Sequence, residues 1–291
     1  MKKTFILSLL VLNVCFGEIY HLNGNKLLKA RGTMLETFDL SSGEAKYKSN
    51  LNFKKYVQSF DYDKESKLGL VLTEMEGKYT IFAVNLESNT IAFDTEEYKD
   101  VVKAFWLGKC RFAILQDNKD HGGTLVYVPL PERITKKLGL TCVDVKPSVK
   151  DVPKDEKPRC LWQSDPLNLW AYYSNGARKI FSDLGDGDFF GIDHDEERIV
   201  FKESVKPDRI FFKSAQGKKS QFLASGKDYK SMGEKGVLVL NNKDELVFYS
   251  GKDLKIQKTL AKSVSKFYVD ESGSKAFVEF KDNKESFIDI R

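Results

Sequence analysis

The sequence predicts an all-β protein in which one small antiparallel sheet recurs along the chain. Three observations predict it: short runs of alternating apolar and polar residues, turn-forming residues between the runs, and a strand–turn–strand pattern that repeats. The clearest copy is Phe60–Leu72 (FDYDKESKLGLVL), and related copies lie at Phe190–Glu203 and Phe267–Phe280. A pattern repeated in this way indicates one supersecondary unit stacked on copies of itself.

The chain begins with a predicted secretory signal peptide, Met1–Gly17. Lys2 and Lys3 form its positive end, and the apolar segment Phe5–Phe16 precedes the expected cleavage before Glu18. That segment is far shorter than the ~20 apolar residues of a membrane-spanning helix, so no membrane insertion is expected. The mature protein is therefore expected to be secreted and extracellular, or to lie in a periplasm or a secretory-pathway lumen.

Residues 57–95 show the repeated unit best. The predicted strands are Val57–Asp63, Lys67–Met75, Tyr79–Leu86 and Thr90–Asp94. A tight turn is expected at Glu76 and Gly77, because short hairpins use residues with positive φ. The unit is therefore predicted to be a four-stranded sheet.

The same pattern can be followed along the rest of the mature chain. Unit starts fall near residues 20, 60, 105, 162, 190, 230 and 267. Most intervals match the roughly 40–45 residues of a four-stranded propeller blade. Because the repeats continue to the C-terminus, residues 18–291 are predicted to form a single domain.

The repeats resemble those of WD40-like and TolB-like β-propellers in the segments DYDKESKLGLVL, DHDEERIVF and DESGSKAFVEF. The chain lacks the Gly-His and Trp-Asp dipeptides of typical WD40 repeats. The resemblance implies a β-propeller of four-stranded blades, with seven blades expected and six as the alternative. It leaves open whether the last blade or the first is completed by a strand from the other end of the chain.

Charge and composition exclude some partners. The chain has 47 Lys and Arg against 42 Asp and Glu, and its formal net charge is +5. The lysines alternate with acids instead of forming a patch, so no nucleic-acid partner is expected.

No catalytic, cofactor-binding or metal-binding residue is predicted. The chain has 3 histidines, well separated, and it has no G-x-S-x-G nucleophile motif. The acidic segments 183–188 and 193–197 do not match the spacing of a calcium loop, and turn formation explains them better. The 3 tryptophans and 21 phenylalanines could form a sugar-binding platform, but packing within half-buried sheets is the preferred interpretation.

Three cysteines remain after removal of the signal peptide. Cys142 and Cys160 flank a Lys-, Asp- and Pro-rich segment, residues 143–159, and a disulfide between them is expected in an oxidising compartment. Cys110 is expected to be a buried free thiol in a second strand.

The function that fits these observations is binding rather than catalysis. A repeat scaffold with variable connections, and no catalytic motif, predicts a secreted module that binds a protein or a surface glycan. The segment 143–159 is predicted to belong to the contact surface, although it could equally be a passive linker. A hydrolase or lactonase with scattered acids at the channel mouth, and a TolB-like assembly factor, remain as alternatives.

Overall fold

The structure is a computed structural model. It describes residues 19–64, 66–108, 110–117, 122–142, 158–163, 168–183, 189–194, 198–203, 206, 208–214, 220–232, 235–251, 253–270 and 272–290. In that part of the chain nearly every regular element is a β-strand. The predicted all-β class is confirmed.

The strands form successive antiparallel units. Unit 1 contains β1 (Tyr20–Asn23), β2 (Lys26–Arg31), β3 (Met34–Asp39) and β4 (Lys46–Asn52). Unit 2 contains β5 (Tyr56–Asp63), β6 (Leu68–Met75), β7 (Lys78–Asn85) and β8 (Thr90–Asp94). Unit 3 contains β9 (Val101–Gly108), β10 (Arg111–Gln116) and β11 (Thr124–Pro129), followed by the helix α1 (Glu132–Lys137). Unit 4 contains β12 (Cys160–Gln163), β13 (Asn168–Tyr172) and β14 (Arg178–Asp183).

The remaining units include one shared strand. Unit 5 contains β15 (Phe189–His194), β16 (Arg198–Glu203), β17 (Arg209–Ser214) and the first half of β18 (Gln221–Ser231). Unit 6 contains the second half of β18 with β19 (Val237–Asn241), β20 (Leu246–Ser250) and β21 (Ile256–Ala261). Unit 7 contains β22 (Val264–Val269), β23 (Lys275–Phe280) and β24 (Glu285–Asp289). The first strand of each unit begins close to a start that the repeat pattern predicts.

Strand β18 passes from one sheet directly into the next. Its first half pairs with β17, from Arg209↔Ser225 onward, and its second half pairs with β19, beginning at Gly226↔Asn241. The seven strands from β15 to β21 are therefore hydrogen-bonded in one continuous order. Gly226 lies at the change of partner, where a Cβ would stand 2.8 Å from the Leu240 carbonyl oxygen.

Residue chemistry explains the position of each strand within a unit. β6 is buried on both faces over its first six residues, consistent with its apolar sequence LGLVLT. β4 is mostly exposed and correspondingly polar. Glu76 and Gly77 have φ values of 54° and 74°, which confirms the predicted tight turn between β6 and β7.

Apolar clusters hold the units together face to face. Six of them each join two consecutive units, from units 1 and 2 through to units 6 and 7. A seventh joins the last unit to the first and contains Leu22, Leu27, Leu40, Tyr268 and Phe277. Among the described residues, each unit thus packs against the next, and unit 7 packs against unit 1.

Side chains also cross the contact between units 1 and 7. The Tyr20 and Tyr268 rings meet edge to face at 5.1 Å, and the Val269 N–H donates to the Tyr20 hydroxyl at 3.2 Å. Lys29 forms an ion pair with Glu279. β1 and β22 are not hydrogen-bonded neighbours in any described sheet, so packing and side chains make this contact.

Unit 3 is completed by a helix that the sequence analysis did not predict. Ile134 of α1 is buried, and Leu138 and Leu140 pack on the apolar cluster between units 2 and 3. Pro131 precedes the helix, Glu132 lies in its first turn and basic residues lie in its last turn, a charge order that suits the helix dipole. No helix in the described part of the chain is long and apolar enough to cross a membrane.

Candidate functional site

A groove between units 1 and 2 has a volume of about 940 Å³. Unit 1 contributes residues from all four of its strands, and unit 2 contributes its β5, β5–β6 and β7–β8 regions. The lining residues are His21, Asn23, Asn25, Lys26, Leu28, Thr37, Phe38, Asp39, Lys48, Ser49, Tyr62, Lys67, Leu86, Glu87, Ser88 and Asn89. We call this cavity the 1–2 groove.

Alternation along β1 explains why the groove is polar. Leu22 belongs to the cluster between units 7 and 1, whereas its neighbours His21 and Asn23 border the groove on the other face. Leu28 and Leu86 belong to the cluster that joins units 1 and 2 and also line the groove. The groove therefore has an apolar floor beneath polar walls.

Lys26 bridges the two units within the groove. Its ammonium group donates a hydrogen bond to the Leu86 carbonyl oxygen. Burial lowers the pKa of Lys26, the nearby Lys48 ammonium lowers it further, and Glu87 opposes both effects. The fold therefore brings the ammonium groups of Lys26 and Lys48 near one another at a partly buried site.

The two acids of the groove already have partners. The Lys67 Nζ lies 2.8 Å from a Glu87 carboxylate oxygen, and this contact lowers the pKa of Glu87. Asp39 accepts hydrogen bonds from the Ser41 hydroxyl and N–H, which lower its pKa, and lies 3.7 Å from Lys48. Both carboxylates are thus ionised at neutral pH.

A small hydrogen-bond network shapes the outer end of the groove. The Asn89 Nδ2 donates to the Ser49 hydroxyl at 2.9 Å, and the Thr37 hydroxyl donates to the Asn89 Oδ1 at 3.4 Å. Asn89 has a φ of 53°, which asparagine adopts more readily than most residues. The network ties β3 and β4 of unit 1 to the β7–β8 turn of unit 2.

A second cavity, of about 640 Å³, lies among the first strands of several units. It is bordered by β1, β5, β9, the end of β18 and the end of β22. Its charged lining residues are Lys103, Lys230 and Asp270, with His21 on the boundary that it shares with the 1–2 groove. Gln58 supplies the one side-chain amide in the described lining.

Asp61 lies near this cavity and joins β5 to β9. The Trp106 N–H donates to its Oδ2 at 2.7 Å, and the Tyr62 N–H donates to its Oδ1 at 2.9 Å. Burial raises the pKa of Asp61 to about 6, and the two N–H donors oppose that rise. This carboxyl group therefore titrates in a mildly acidic range.

Comparisons with known proteins show which solved structures have a similar fold. No protein-family model and no curated protein sequence matches the chain. A solved structure of KlHsv2, with loop 6CD replaced by a Gly-Ser linker, matches with a TM-score of 0.51 at 6% identity, over 94% of this chain and 92% of that chain. A mitotic checkpoint complex chain matches at 0.49 and 11% identity, over 94% and 86% of the two chains. The Cps50 (Swd1) β-propeller domain of Myceliophteria thermophila matches at 0.49 and 11%, over 94% and 96%.

The chain resembles a WD40-like β-propeller. At such low identity the likeness concerns the fold alone. The second cavity is bordered by the first strands of units 1, 2, 3, 6 and 7.

The described lining of the second cavity contains few acidic groups. Asp270 is its one carboxylate in the described lining. Burial would raise the pKa of Asp270, but hydrogen bonds from Ser272, Lys275 and Ser274 outweigh burial and lower it. Among the described residues no three His, Cys, Asp or Glu side chains come together as a metal site. A convergent set of acids is not seen among the described residues of this lining.

The predicted disulfide is wrong. Cys110 pairs with Cys142, with Cα atoms 5.5 Å apart, and Cys160 is a buried free thiol. β10 begins at Arg111, so Cys110 lies in the preceding turn and can pair with Cys142, which follows α1. Cys160 lies in the first strand of unit 4 and packs into the cluster between units 3 and 4, where burial raises its pKa to about 11.

The structure describes the predicted tryptophan packing but not every other predicted feature. Trp106 is buried, and Trp162 and Trp170 pack on an apolar cluster, which confirms core packing for the tryptophans. The signal peptide Met1–Gly17, residues 143–157 of the predicted contact loop, and residues 184–188 and 195–197 of the acidic segments lie outside the described residues.

The residues of the 1–2 groove were not identified from the sequence. Asn23-Gly24-Asn25 and Glu87-Ser88-Asn89 look like ordinary turn residues, since Gly and Asn are common in turns. One signal was available. Polar residues occupy the face of β1 and β3 that a fully packed sheet would bury, namely His21, Asn23, Thr37 and Asp39.

Proposed function

We propose that the chain is an exported, non-enzymatic protein-interaction module, and that the 1–2 groove is its contact site. The observation that carries the proposal is the composition of the groove, which combines charged and amide walls with an apolar floor of Leu28 and Leu86. Pockets with mostly apolar surface and a few placed polar groups are the usual sites of recognition. The second cavity also mixes polar and apolar side chains, but the groove is the larger of the two, at about 940 Å³ against about 640 Å³.

The proposal includes a closed propeller of seven blades, one for each unit. Its support is the succession of clusters between neighbouring units, including the one that joins unit 7 to unit 1. A closed ring holds each sheet between two others, so unit 1 cannot move away from unit 2 without losing packing on both faces. Such a scaffold would fix the two walls of the groove.

Export is the second part of the proposal. The predicted signal peptide supports it, and so does a disulfide between Cys110 and Cys142, because disulfides persist in oxidising compartments. We expect the protein recovered from expressing cells to begin at Glu18, as measured by N-terminal sequencing. Recovery of a cytosolic chain that retains Met1–Gly17 would contradict export.

Site-specific photo-crosslinking in the organism that makes the protein tests the contact site. A benzophenone amino acid at Lys48, whose side chain is 67% exposed in the groove, should give a covalent adduct with one protein of defined mass. The same group at Ile256, 65% exposed on unit 6, should not give that adduct.

A groove-filling variant separates a specific partner from chance capture. Ser88→Trp should abolish the Lys48 adduct, because the indole would occupy the groove at an exposed turn. Lys258→Trp, on the exposed strand β21, serves as the matched control and should leave the adduct unchanged. If both variants retain the adduct, the groove is not the contact site.

A further inference from the structure

We infer that the 1–2 groove recognises the carboxylate of an Asp or Glu side chain within an extended peptide segment, with Lys26 and Lys48 as the anion-binding pair. The inference rests on the proposed function, since it names the chemistry of the partner. It adds the charge of the bound side chain, the extended conformation of the bound peptide and two recognition residues in the groove.

The charge inventory of the groove shows one cation in excess. Three lysines line it, Lys26, Lys48 and Lys67, against the two acids Asp39 and Glu87. The Lys67 Nζ lies 2.8 Å from a Glu87 carboxylate oxygen, and this contact raises the pKa of Lys67. Glu87 also offsets part of the Lys26 charge, and Asp39 lies 3.7 Å from Lys48, so three ammonium groups share two carboxylates.

The Lys48 ammonium disfavours the charged form of Lys26 within the groove. Lys26 is held in place by its hydrogen bond to the Leu86 carbonyl, and its ammonium is partly desolvated there. The Lys48 ammonium is close enough to add to that cost. A carboxylate between them would reverse the repulsion and form charge-assisted hydrogen bonds to both.

The shape and remaining chemistry favour an extended peptide over a compact ion. The groove has a volume of about 940 Å³, far larger than a single carboxylate requires. Its floor of Leu28 and Leu86 suits a neighbouring apolar side chain, and the exposed amides of Asn23 and Asn25 at its rim can pair with peptide N–H and C=O groups. An extended segment presents both at once.

Selection from a peptide library tests the inference with the intact mature chain. The probe is a library of random ten-residue peptides displayed with blocked C-termini and selected on the immobilised protein. We expect the enriched peptides to share an Asp or Glu at one position next to an apolar residue. Changing that Glu to Gln in a synthetic copy should weaken binding about tenfold, measured by fluorescence anisotropy.

Lysine variants test whether Lys26 and Lys48 bind the carboxylate of the peptide. The double variant Lys26→Met/Lys48→Met should also lose about tenfold in affinity for the acidic peptide and should no longer distinguish it from the Gln copy. Lys48→Met alone, at a 67% exposed side chain, gives the same direction of change with no effect on folding. Lys255→Met/Lys284→Met removes two lysines whose side chains are 80% and 81% exposed elsewhere, and should leave both affinities unchanged.

The outcomes separate this inference from the proposed function. Groove-binding peptides that are displaced by Ser88→Trp but share no acid would overturn the inference and leave the contact site standing. A preference for phosphopeptides, for free C-termini or for sugars over the acidic peptide would overturn it as well. If no selected peptide is sensitive to Ser88→Trp, the proposed contact site fails together with the inference.

Discussion

At the scale of single residues, Asp61 couples protonation to stability. Its pKa is raised to about 6 in the folded protein, from an ordinary value of 3.8. The folded state therefore holds the Asp61 proton more tightly than the unfolded chain does. Between pH 4 and 6 the unfolded chain loses this proton first, so the contribution of Asp61 to folding falls as pH rises.

The variant Asp61→Asn should remove this dependence. We expect its free energy of unfolding, relative to that of the wild type, to rise by about 2 kcal/mol between pH 4 and pH 7, from roughly 1.4 kcal/mol per pKa unit over the part of the titration that lies above pH 4. Urea unfolding at a series of pH values measures the difference. A constant difference across this range would show that Asp61 titrates normally in the folded protein.

The cysteines give a second prediction at this scale. Removing the disulfide in Cys110→Ser/Cys142→Ser should lower the free energy of unfolding by about 4 kcal/mol for a loop of this length in the chain-entropy model. The two cysteines are 32 residues apart and enclose β10, β11 and α1. Denaturant unfolding of the oxidised wild type and of the variant measures the loss.

Cys160 provides the control for the disulfide. It is buried and its pKa is raised to about 11 by that burial, so iodoacetamide should not modify it in the native state. Peptide mapping without reductant should link Cys110 to Cys142. A Cys142–Cys160 peptide in that map would contradict the pairing described above.

At the scale of elements, the junction at Gly226 makes β18 serve two sheets. A Cβ at this position would stand 2.8 Å from the Leu240 carbonyl oxygen and 3.0 Å from the Ile210 side chain. Gly226→Ala should therefore lower the free energy of unfolding by about 2 kcal/mol, because backbone must shift to accommodate the methyl group.

Gly108→Ala is the matched control for the junction. Gly108 ends β9, and a Cβ there would meet no atom within 4 Å. Its effect on the unfolding free energy should stay within about 0.5 kcal/mol. Equal effects of the two substitutions in thermal or chemical unfolding would mean that β18 is not tightly packed at the change of partner.

The strands were predictable because their signals are local. Alternation and turn residues located β5 to β8, including the turn at Glu76 and Gly77, without knowledge of any other unit. The helix α1 was not predicted, because six residues are too few to show a 3.6-residue period. The cysteine pairing was mispredicted since it depends on which side of a strand boundary Cys110 lies.

The groove could not be predicted because it is a relation between two units. Lys26 and Leu86 are 60 residues apart in sequence, and nothing local indicates that they meet. Only the stacking of unit 1 on unit 2 brings Lys26, Lys48 and Lys67 to one cavity. Sequence alone shows these lysines as ordinary exposed charges.

At the scale of the whole molecule, the contact between units 7 and 1 decides whether the propeller is closed. Phe277 is fully buried in the cluster that joins them. Phe277→Ala should lower the free energy of unfolding by roughly 3–5 kcal/mol while retaining a single cooperative transition.

Phe222→Ala is the comparison for the closing contact. Phe222 is 51% exposed, so its truncation should cost about 1 kcal/mol or less. Two separated transitions in the Phe277 variant, with the first at low denaturant, would show that units 1 and 7 separate before the other units unfold.

Unit 1 has the closing contact on one face and the 1–2 groove on the other. Packing and side chains, not a shared ladder of backbone hydrogen bonds, form the described contact with unit 7, so the proposed ring can open there without breaking a ladder. A ligand that contacts both walls of the groove would hold unit 1 against unit 2 and so reduce opening at the contact with unit 7. Binding should then increase the hydrogen-exchange protection of β22 and β23, across unit 1 from the ligand. Unit 7 would thus report on a partner that it does not touch.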